Sequence, residues 1–297
     1  MWRVLGLTGI SVLISGLATG QVKKQFTIED KSACQVISLH IKANNGNCYI
    51  KPSHNQEILT VFGNQEASSY NHQFKEEIKG KSCNVFLSLE DSENKGVSYS
   101  LTTKVFSSDA ATDKFWKMYL TDEKPYHLEL TYGLGNANVD LSGLSIKTLK
   151  INTASADVVV GYQPGIENLV QMDTLTMKVD VGSVNAKNIS LAKTRYILAD
   201  VGLGNVTLDF STQPTVGNIV KGSVGAGNLI VLLPKGHDTP VSVKIKDSWL
   251  CSTKLPSNFK KTGSDTYANS AYLKNPANAL TFDLDVSMGN IVFKQGH

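Results

Sequence analysis

A short glycine-containing motif recurs six times between residues 133 and 291 and limits the fold more than any other feature. It reads Gly-x-Gly-Asn at 133–136, 202–205 and 225–228, with shortened or substituted copies at 154–158, 180–184 and 288–291. The polar residue of the first five copies stands at 136, 157, 183, 205 and 228. A period of about 21 to 26 residues indicates stacked repeats, each packing on the next.

Short runs of alternating apolar and polar residues flank each motif, as at 137–141, 195–200 and 205–210. A period of two predicts strands with one buried face. The residues that we predict to point inward are Val139, Leu141, Leu149, Ile151, Val158, Val160, Leu175, Val179, Val184, Ile197, Val206, Leu208, Phe210, Leu229 and Val231.

The recurring glycines predict corners of the chain. An interior glycine costs roughly 0.5–1 kcal/mol relative to alanine, so its return at one point of every repeat indicates a positive φ there. We therefore predict an all-β fold, a single-stacked β-helix or β-roll-like ladder with glycine corners and neighbouring coils about 4.8 Å apart. The structural corner residues are Gly133, Gly135, Asn136, Asp157, Gly182, Gly202, Gly204, Asn205, Gly225, Gly227, Asn228, Gly289 and Asn290.

The first twenty residues predict a secretory signal peptide. Arg3 precedes an apolar run from Val4 to Leu17, and small residues lead to a cleavage point before Gln21. A membrane anchor is the alternative, but the run is shorter than the roughly 18 to 20 residues that span a bilayer. We expect a protein exported to the periplasm, the outer surface or the medium, which does not span the membrane after cleavage. The formal net charge of +3 indicates no nucleic-acid partner.

After the signal, residues 21–125 predict an N-terminal β region and residues 126–297 the β-repeat domain. The turn at 44–47 followed by a strand repeats the central motif in outline, so the ladder is expected to begin there. We predict a strand at 97–101 and a short helix from Asp109 to Leu120. The long polar segment 246–278 is either a functional loop or an excursion that covers the end of the ladder.

Four cysteines remain in the exported chain, at Cys34, Cys48, Cys83 and Cys251. They allow three disulfide connectivities, among which the sequence does not choose. Cys48 and Cys83 begin similar strands, so a disulfide between them is one possibility. Four buried thiols are an alternative with equal support.

No residue is predicted to be catalytic, to bind a cofactor or to bind a metal. Stacked corner aspartates could hold calcium, but solvated or turn-capping carboxylates are favoured for Asp140, Asp157, Asp180, Asp200 and Asp209. Aromatic residues could form a surface that stacks on glycans, but packing in the core is the favoured interpretation. The residues considered are Trp116, Tyr132, Tyr162, Trp249 and Tyr267. The scattered histidines are interpreted as structural.

The segments 128–136, 139–144, 149–153 and 232–236 resemble the bacterial "putative adhesin" or toast-rack β-repeat family, which includes the repeat domain of cell-wall-active-antibiotic-response proteins. The resemblance covers about 126 to 297 and, faintly, 36 to 62. At 154–156 alanine and serine replace the family's glycines. The resemblance implies a β-repeat fold and a cell-envelope setting, without a common activity.

Three functions remain open. The first is an exported non-catalytic envelope protein, an adhesin-like structural or binding scaffold whose partner is an envelope protein or a polysaccharide. The second is a carbohydrate-binding or, with less support, carbohydrate-cleaving β-helix, and the third is a module that senses envelope stress. Because the edges of an open ladder are association surfaces, we also expect self-association unless terminal segments cap them.

Overall fold

The computed structural model describes residues 22–30, 34–65, 70–91, 114–236 and 238–296. The predicted signal peptide and the strand expected at 97–101 lie outside these residues.

The described residues form an all-β protein, as predicted. Their strands belong to one sheet, and their helical content is one 3-10 turn and one short helix. The strands are β1 Lys23–Glu29, β2 Val36–Ala43, β3 Asn47–Ser53, β4 Glu57–Gly63, β5 Tyr70–Lys79, β6 Ser82–Asp91, β7 Phe115–Thr121, β8 Pro125–Asp140, β9 Ser145–Gly161, β10 Met172–Lys187, β11 Thr194–Asp209, β12 Asn218–Leu233, β13 Val241–Asp247, β14 Cys251–Lys254, β15 Phe259–Lys261, β16 Thr266–Asn269 and β17 Leu280–Gln295. The 3-10 turn is Ile189–Ala192, and the helix, α1, is Ser270–Lys274.

Strands of 16 or 17 residues form the centre of the sheet, and each contains one copy of the repeat motif. β8, β9, β10, β11 and β12 pair in parallel in this order, and β17 follows β12. The register aligns the motif with itself, since Gly204 pairs with Gly182 on one side and with Gly227 on the other. Equivalent side chains of successive repeats therefore form rows across the strands.

The long strands cannot run straight. A straight strand of this length would measure about 50 Å, whereas the connection from β8 to its parallel partner β9, residues 141–144, reaches at most about 18 Å. Each long strand must therefore fold back at its copy of the repeat motif. In β11 the buried residues are odd-numbered from Ile197 to Val201 and even-numbered from Val206 onward, as a bend at the corner requires. The halves before and after the corner are called the first arm and the second arm.

The N-terminal region continues this arrangement. β2 pairs in parallel with the first arm of β8, and β3 pairs with the second arm. β6 and β7 pair in parallel with the far sides of β2 and β3. Antiparallel strands complete this end, with β5 on β6, β4 on β7 and β1 on β4.

The segment 246–278, for which the sequence predicts either a functional loop or an excursion, contains β14, β15, β16 and α1. β13 and β14 pair in parallel with the two arms of β17, and β16 pairs with β13 in antiparallel orientation. The segment thus borders the last long strand.

The helix predicted from Asp109 to Leu120 is wrong in its described part, because Phe115–Thr121 is β7. Trp116, Met118 and Leu120 are buried while Phe115, Lys117 and Tyr119 are not, which is the alternation of a strand. An apolar run this short fits both the helical period of about 3.6 residues and the strand period of two. The hydrogen-bonded pairing of β7 with β3 on one side and β4 on the other makes it a strand.

All fifteen residues predicted to point inward are buried and belong to one hydrophobic cluster. The alternation in the sequence therefore identified the core of the central strands correctly. Within the described residues, no helix is long and apolar enough to cross a membrane.

Cys34 and Cys83 form a disulfide, with their Cα atoms 5.5 Å apart. The bond considered between Cys48 and Cys83 is therefore wrong, and so is the alternative of four thiols. Cys34 lies just before β2 and Cys83 lies in β6, which pairs with β2 directly, whereas Cys48 is buried in β3. The disulfide thus joins two adjacent strands at the N-terminal end.

Candidate functional site

The predicted polar corner residues lie in one row across the strands. Asn136, Asp157, Asn205, Asn228 and Asn290 occupy equivalent register positions. Their amides bond along the row, since Asn228 Nδ2 donates to Asn205 Oδ1 at 2.6 Å and Asn290 Nδ2 donates to Asn228 Oδ1 at 2.7 Å. Ser183 occupies the position between Asp157 and Asn205, and the amides of the row connect one strand to the next.

The predicted corner glycines stand beside this row. Gly135, Gly182, Gly204, Gly227 and Gly289 all have positive φ, from 117° to 150°. A Cβ on any of them would collide with a backbone carbonyl oxygen of the neighbouring strand, as at Gly204 against Gly182. Glycine is thus required both by the backbone conformation and by close strand contact.

Other glycines of the motif lack the positive φ but also face a neighbouring backbone closely. A Cβ on Gly202 or Gly225 would lie 2.7 Å from a carbonyl oxygen of the next strand, and one on Gly133 would lie closer still. Ala156, where the repeat departs from glycine, is fully buried and has no positive φ. The corner therefore tolerates alanine in β9 because the backbone there takes a different conformation.

The five aspartates considered for calcium do not form one stack. Asp140 and Asp209 each accept a backbone N–H from a serine two residues on, at 3.0 and 2.8 Å, as turn-capping side chains do. Asp200 accepts a hydrogen bond from Ser223 Oγ at 2.6 Å. The residue that pairs with Asp200 in β10 is Lys178, so Asp180 lies two residues beyond the position opposite Asp200. No group of three or more histidine, cysteine or acidic side chains suited to a metal occurs in the described residues.

The aromatic residues considered as a glycan surface do not gather. Trp116, Tyr132 and Tyr162 are buried in the core, as favoured. Core packing is wrong for Trp249, which is 90% exposed beside the corner of β17, and Tyr267 is only half-buried in β16. A surface of these five residues is therefore not formed.

A polar cluster occupies the outer face of the first arms at the N-terminal end. His40 Nδ1 lies 3.0 Å from Glu129 Oε2, and the His40 ring stacks on Phe86 with 4.5 Å between ring centroids. Lys150 Nζ lies 2.7 Å from Glu129 Oε1. The hydrogen bond from Lys150 lowers the pKa of the Glu129 carboxyl below its ordinary value. Glu129 is thus held as a carboxylate between two basic side chains.

A second cluster, the aromatic–lysine patch, lies on the outer face of the second arms and consists of Tyr49, Lys51, Phe62, Phe115, Lys117 and Tyr119. β7 lies between β3 and β4, and the pairings Tyr49–Lys117, Lys117–Phe62 and Lys51–Tyr119 place these side chains on one face. The residues of β3 and β7 line a depression of about 380 Å³.

The rings of the patch lie partly against the sheet. Phe62, Phe115 and Tyr119 are half-buried and Tyr49 is 36% exposed. Phe62 and Tyr119 make an edge-to-face contact with their centroids 5.7 Å apart, and Lys117 Nζ lies 5.1 Å from the Phe115 centroid. Outward positions of a half-solvated strand are usually polar, so four aromatic rings there are unexpected for a purely structural strand.

The patch was missed because the sequence around Phe115 was interpreted as helical. The alternation of Phe115, Lys117 and Tyr119 with three buried residues is the signal that could have identified its β7 portion. Nothing in the sequence places that portion beside Tyr49, since the register between β3 and β7 depends on the whole sheet.

Residues 17–163 match the model of the N-terminal domain of toast_rack, DUF2154. The match covers all of 36–62, where we expected only a faint resemblance, and only 126–163 of the segment 126–297, where we expected a clear one. It includes the disulfide, both surface clusters and the strands up to β9.

No curated protein matches the chain. Among solved structures, a "putative cell adhesion protein" from Clostridium sporogenes shares 16% identity at a TM-score of 0.43, over 93% of this chain and 100% of that one. A "putative lipid binding protein" from Parabacteroides distasonis shares 12% identity at a TM-score of 0.35, over 92% of this chain and 98% of the other. Likenesses this weak carry no conclusion about function.

Proposed function

We propose that this chain, which belongs to the toast-rack family through residues 17–163, is an exported, non-catalytic binding scaffold of the cell envelope. The long strands are the coils of a β-roll-like ladder in this proposal, and the ladder presents its outer faces to an envelope protein or polysaccharide. Nucleic acid is not among the proposed partners.

The observation that carries the proposal is the alignment of outward side chains across the parallel strands. One row on the first arms runs through Glu129, Lys150, Thr176, Leu198 and Lys221. Strands in register hold such a row at about 4.8 Å spacing. A regularly spaced, rigid surface suits a ligand that is itself extended, such as a polymer.

Two of the described groups that could take part in catalysis are held in ways that disfavour it. Burial raises the pKa of the Cys48 thiol, which favours the weakly nucleophilic protonated form. Glu129 is fixed between His40 and Lys150 rather than paired with a nucleophile. These contacts favour binding over catalysis.

Co-sedimentation with isolated bacterial envelopes tests the proposal. We expect purified residues 21–297 to bind saturably and to release no soluble sugar or peptide from the envelope during incubation, with or without added calcium. Absence of binding, or release of product that scales with protein and time, would overturn it.

The aromatic–lysine patch favours carbohydrate binding as the second candidate function. Ring faces stack on the apolar faces of flat ligands, and lysines bind anionic groups. This function is a specific form of the scaffold proposal, with a saccharide as the envelope ligand.

A further inference from the structure

We propose that the aromatic–lysine patch is a binding site for an acidic saccharide, whose sugar rings stack on the aromatic side chains while its carboxylate or phosphate groups bind Lys51 and Lys117. This inference rests on the proposed scaffold function and names the ligand class and the residues that would recognise it.

The first argument is the shape of the site. The patch crosses β3, β7 and β4, which places its side chains on a surface about 10 Å wide. The side chains of Tyr49 and Tyr119 add hydroxyl groups to their ring faces, so each can stack on a sugar and also hydrogen-bond to it. A shallow depression with aromatic walls fits a short run of an extended chain rather than a small ligand enclosed in a cavity.

The second argument is charge. Some lysines of the described surface form ion pairs, such as Lys42 with Glu90 at 2.6 Å and Lys150 with Glu129 at 2.7 Å, whereas others do not. Neither Lys51 nor Lys117 has an acidic group within ion-pair distance among the described residues. Lys117 is instead held beside the Phe115 ring. Two uncompensated ammonium groups between rings are complementary to a ligand with negative charges.

The half-buried rings distinguish the patch from a membrane-binding surface. Side chains that insert into a bilayer have to project from the protein, as Trp249 does with 90% exposure. Phe62, Phe115 and Tyr119 are instead half-buried, which gives them little reach beyond the surface of the sheet. This geometry favours a stacked ligand over an inserted one.

Titration calorimetry with oligogalacturonate, a neutral galactose oligomer of equal length and a sugar phosphate tests the inference. We expect the acidic probes to bind the intact chain and the neutral oligomer to bind at least about tenfold more weakly, because both charge-assisted contacts are lost. Lys51→Gln with Lys117→Gln should weaken the acidic probes by about tenfold or more. Tyr49→Ala should weaken them severalfold and change the salt dependence little.

A matched control removes the same charge elsewhere. Lys260→Gln with Lys261→Gln, both exposed in β15, should alter binding less than about twofold. An equal loss in this control would show non-specific charge attraction and overturn the inference. Binding of anionic lipid vesicles without binding of the saccharides would overturn it as well.

Failure of this inference is separable from failure of the scaffold proposal. If the chain sediments with envelopes, and the Lys51→Gln, Lys117→Gln variant does so equally, the patch is not the site although the scaffold proposal stands. If neither envelopes nor acidic saccharides bind, both proposals are wrong.

Discussion

At the scale of single residues, the corner glycines determine whether neighbouring strands can approach. Gly204 illustrates both requirements, with a φ of 150° and a neighbouring carbonyl oxygen in the space that a Cβ would fill. The amide row next to it adds hydrogen bonds on the solvent side. The spacing of the glycines in the sequence identified them as corner residues. The close approach of the neighbouring strand is visible only in the structure.

We predict that Gly204→Ala destabilises the protein by more than about 3 kcal/mol, from backbone strain together with the steric overlap. Gly263→Ala is the control, because the nearest atom to its added Cβ is the Thr266 Cβ at 3.5 Å and its φ is not positive. Urea denaturation measures both. Equal midpoints for the two variants would contradict the role of the corner.

Glu129 gives a pH-dependent prediction. Its pKa is lowered in the folded state by the hydrogen bond from Lys150, so the unfolded chain takes up its proton first on acidification. The stabilisation is therefore present above the ordinary glutamate pKa of about 4.3 and is lost as the pH falls through the folded value. We expect urea midpoints of the native protein to fall more steeply below about pH 4.3 than those of Glu129→Gln. Parallel curves would contradict this.

At the scale of strands, the disulfide fixes β2 against β6. It closes a loop with a sequence separation of 49 residues, for which chain entropy predicts about 4 kcal/mol of stabilisation. Cys34→Ser with Cys83→Ser should lower the free energy of unfolding by about that amount. Added reductant should destabilise the native protein and leave the double variant unchanged. Sensitivity of the double variant to reductant would show a different pairing.

The central strands were predictable because their alternation and their glycines agree. Val158, Val206 and Leu229 were assigned inward on period alone, and each is buried. β7 was not predictable, because a short run such as Phe115–Leu120 fits two periods until strand pairing selects one. The aromatic–lysine patch was not predictable for the same reason. Its β3 residues and its β7 residues are neighbours only because of the register in which these two strands pair.

At the scale of the whole molecule, β5 is an edge that pairs only with β6 among the described strands. Phe74 and Ile78 of β5 are 47% and 44% exposed. Unpaired backbone groups beside exposed apolar side chains favour strand addition. We expect a concentration-dependent dimer in sedimentation velocity, which Phe74→Lys with Ile78→Lys abolishes and Leu203→Lys, at the exposed corner, preserves. A monomer at all concentrations would contradict self-association through this edge.

The most direct test of the scaffold function is hydrogen exchange of residues 21–297 with and without solubilised envelope polysaccharide. We predict added protection on the outer strands of the ladder, strongest in Asn47–Ser53 and Phe115–Thr121, where the patch lies. The central strands β8 to β12, which carry the outward row of the scaffold proposal, should gain weaker protection. Unchanged exchange at every strand in the presence of saturating polymer, or protection confined to the corner around Trp249, would contradict a ligand bound on the faces of the ladder.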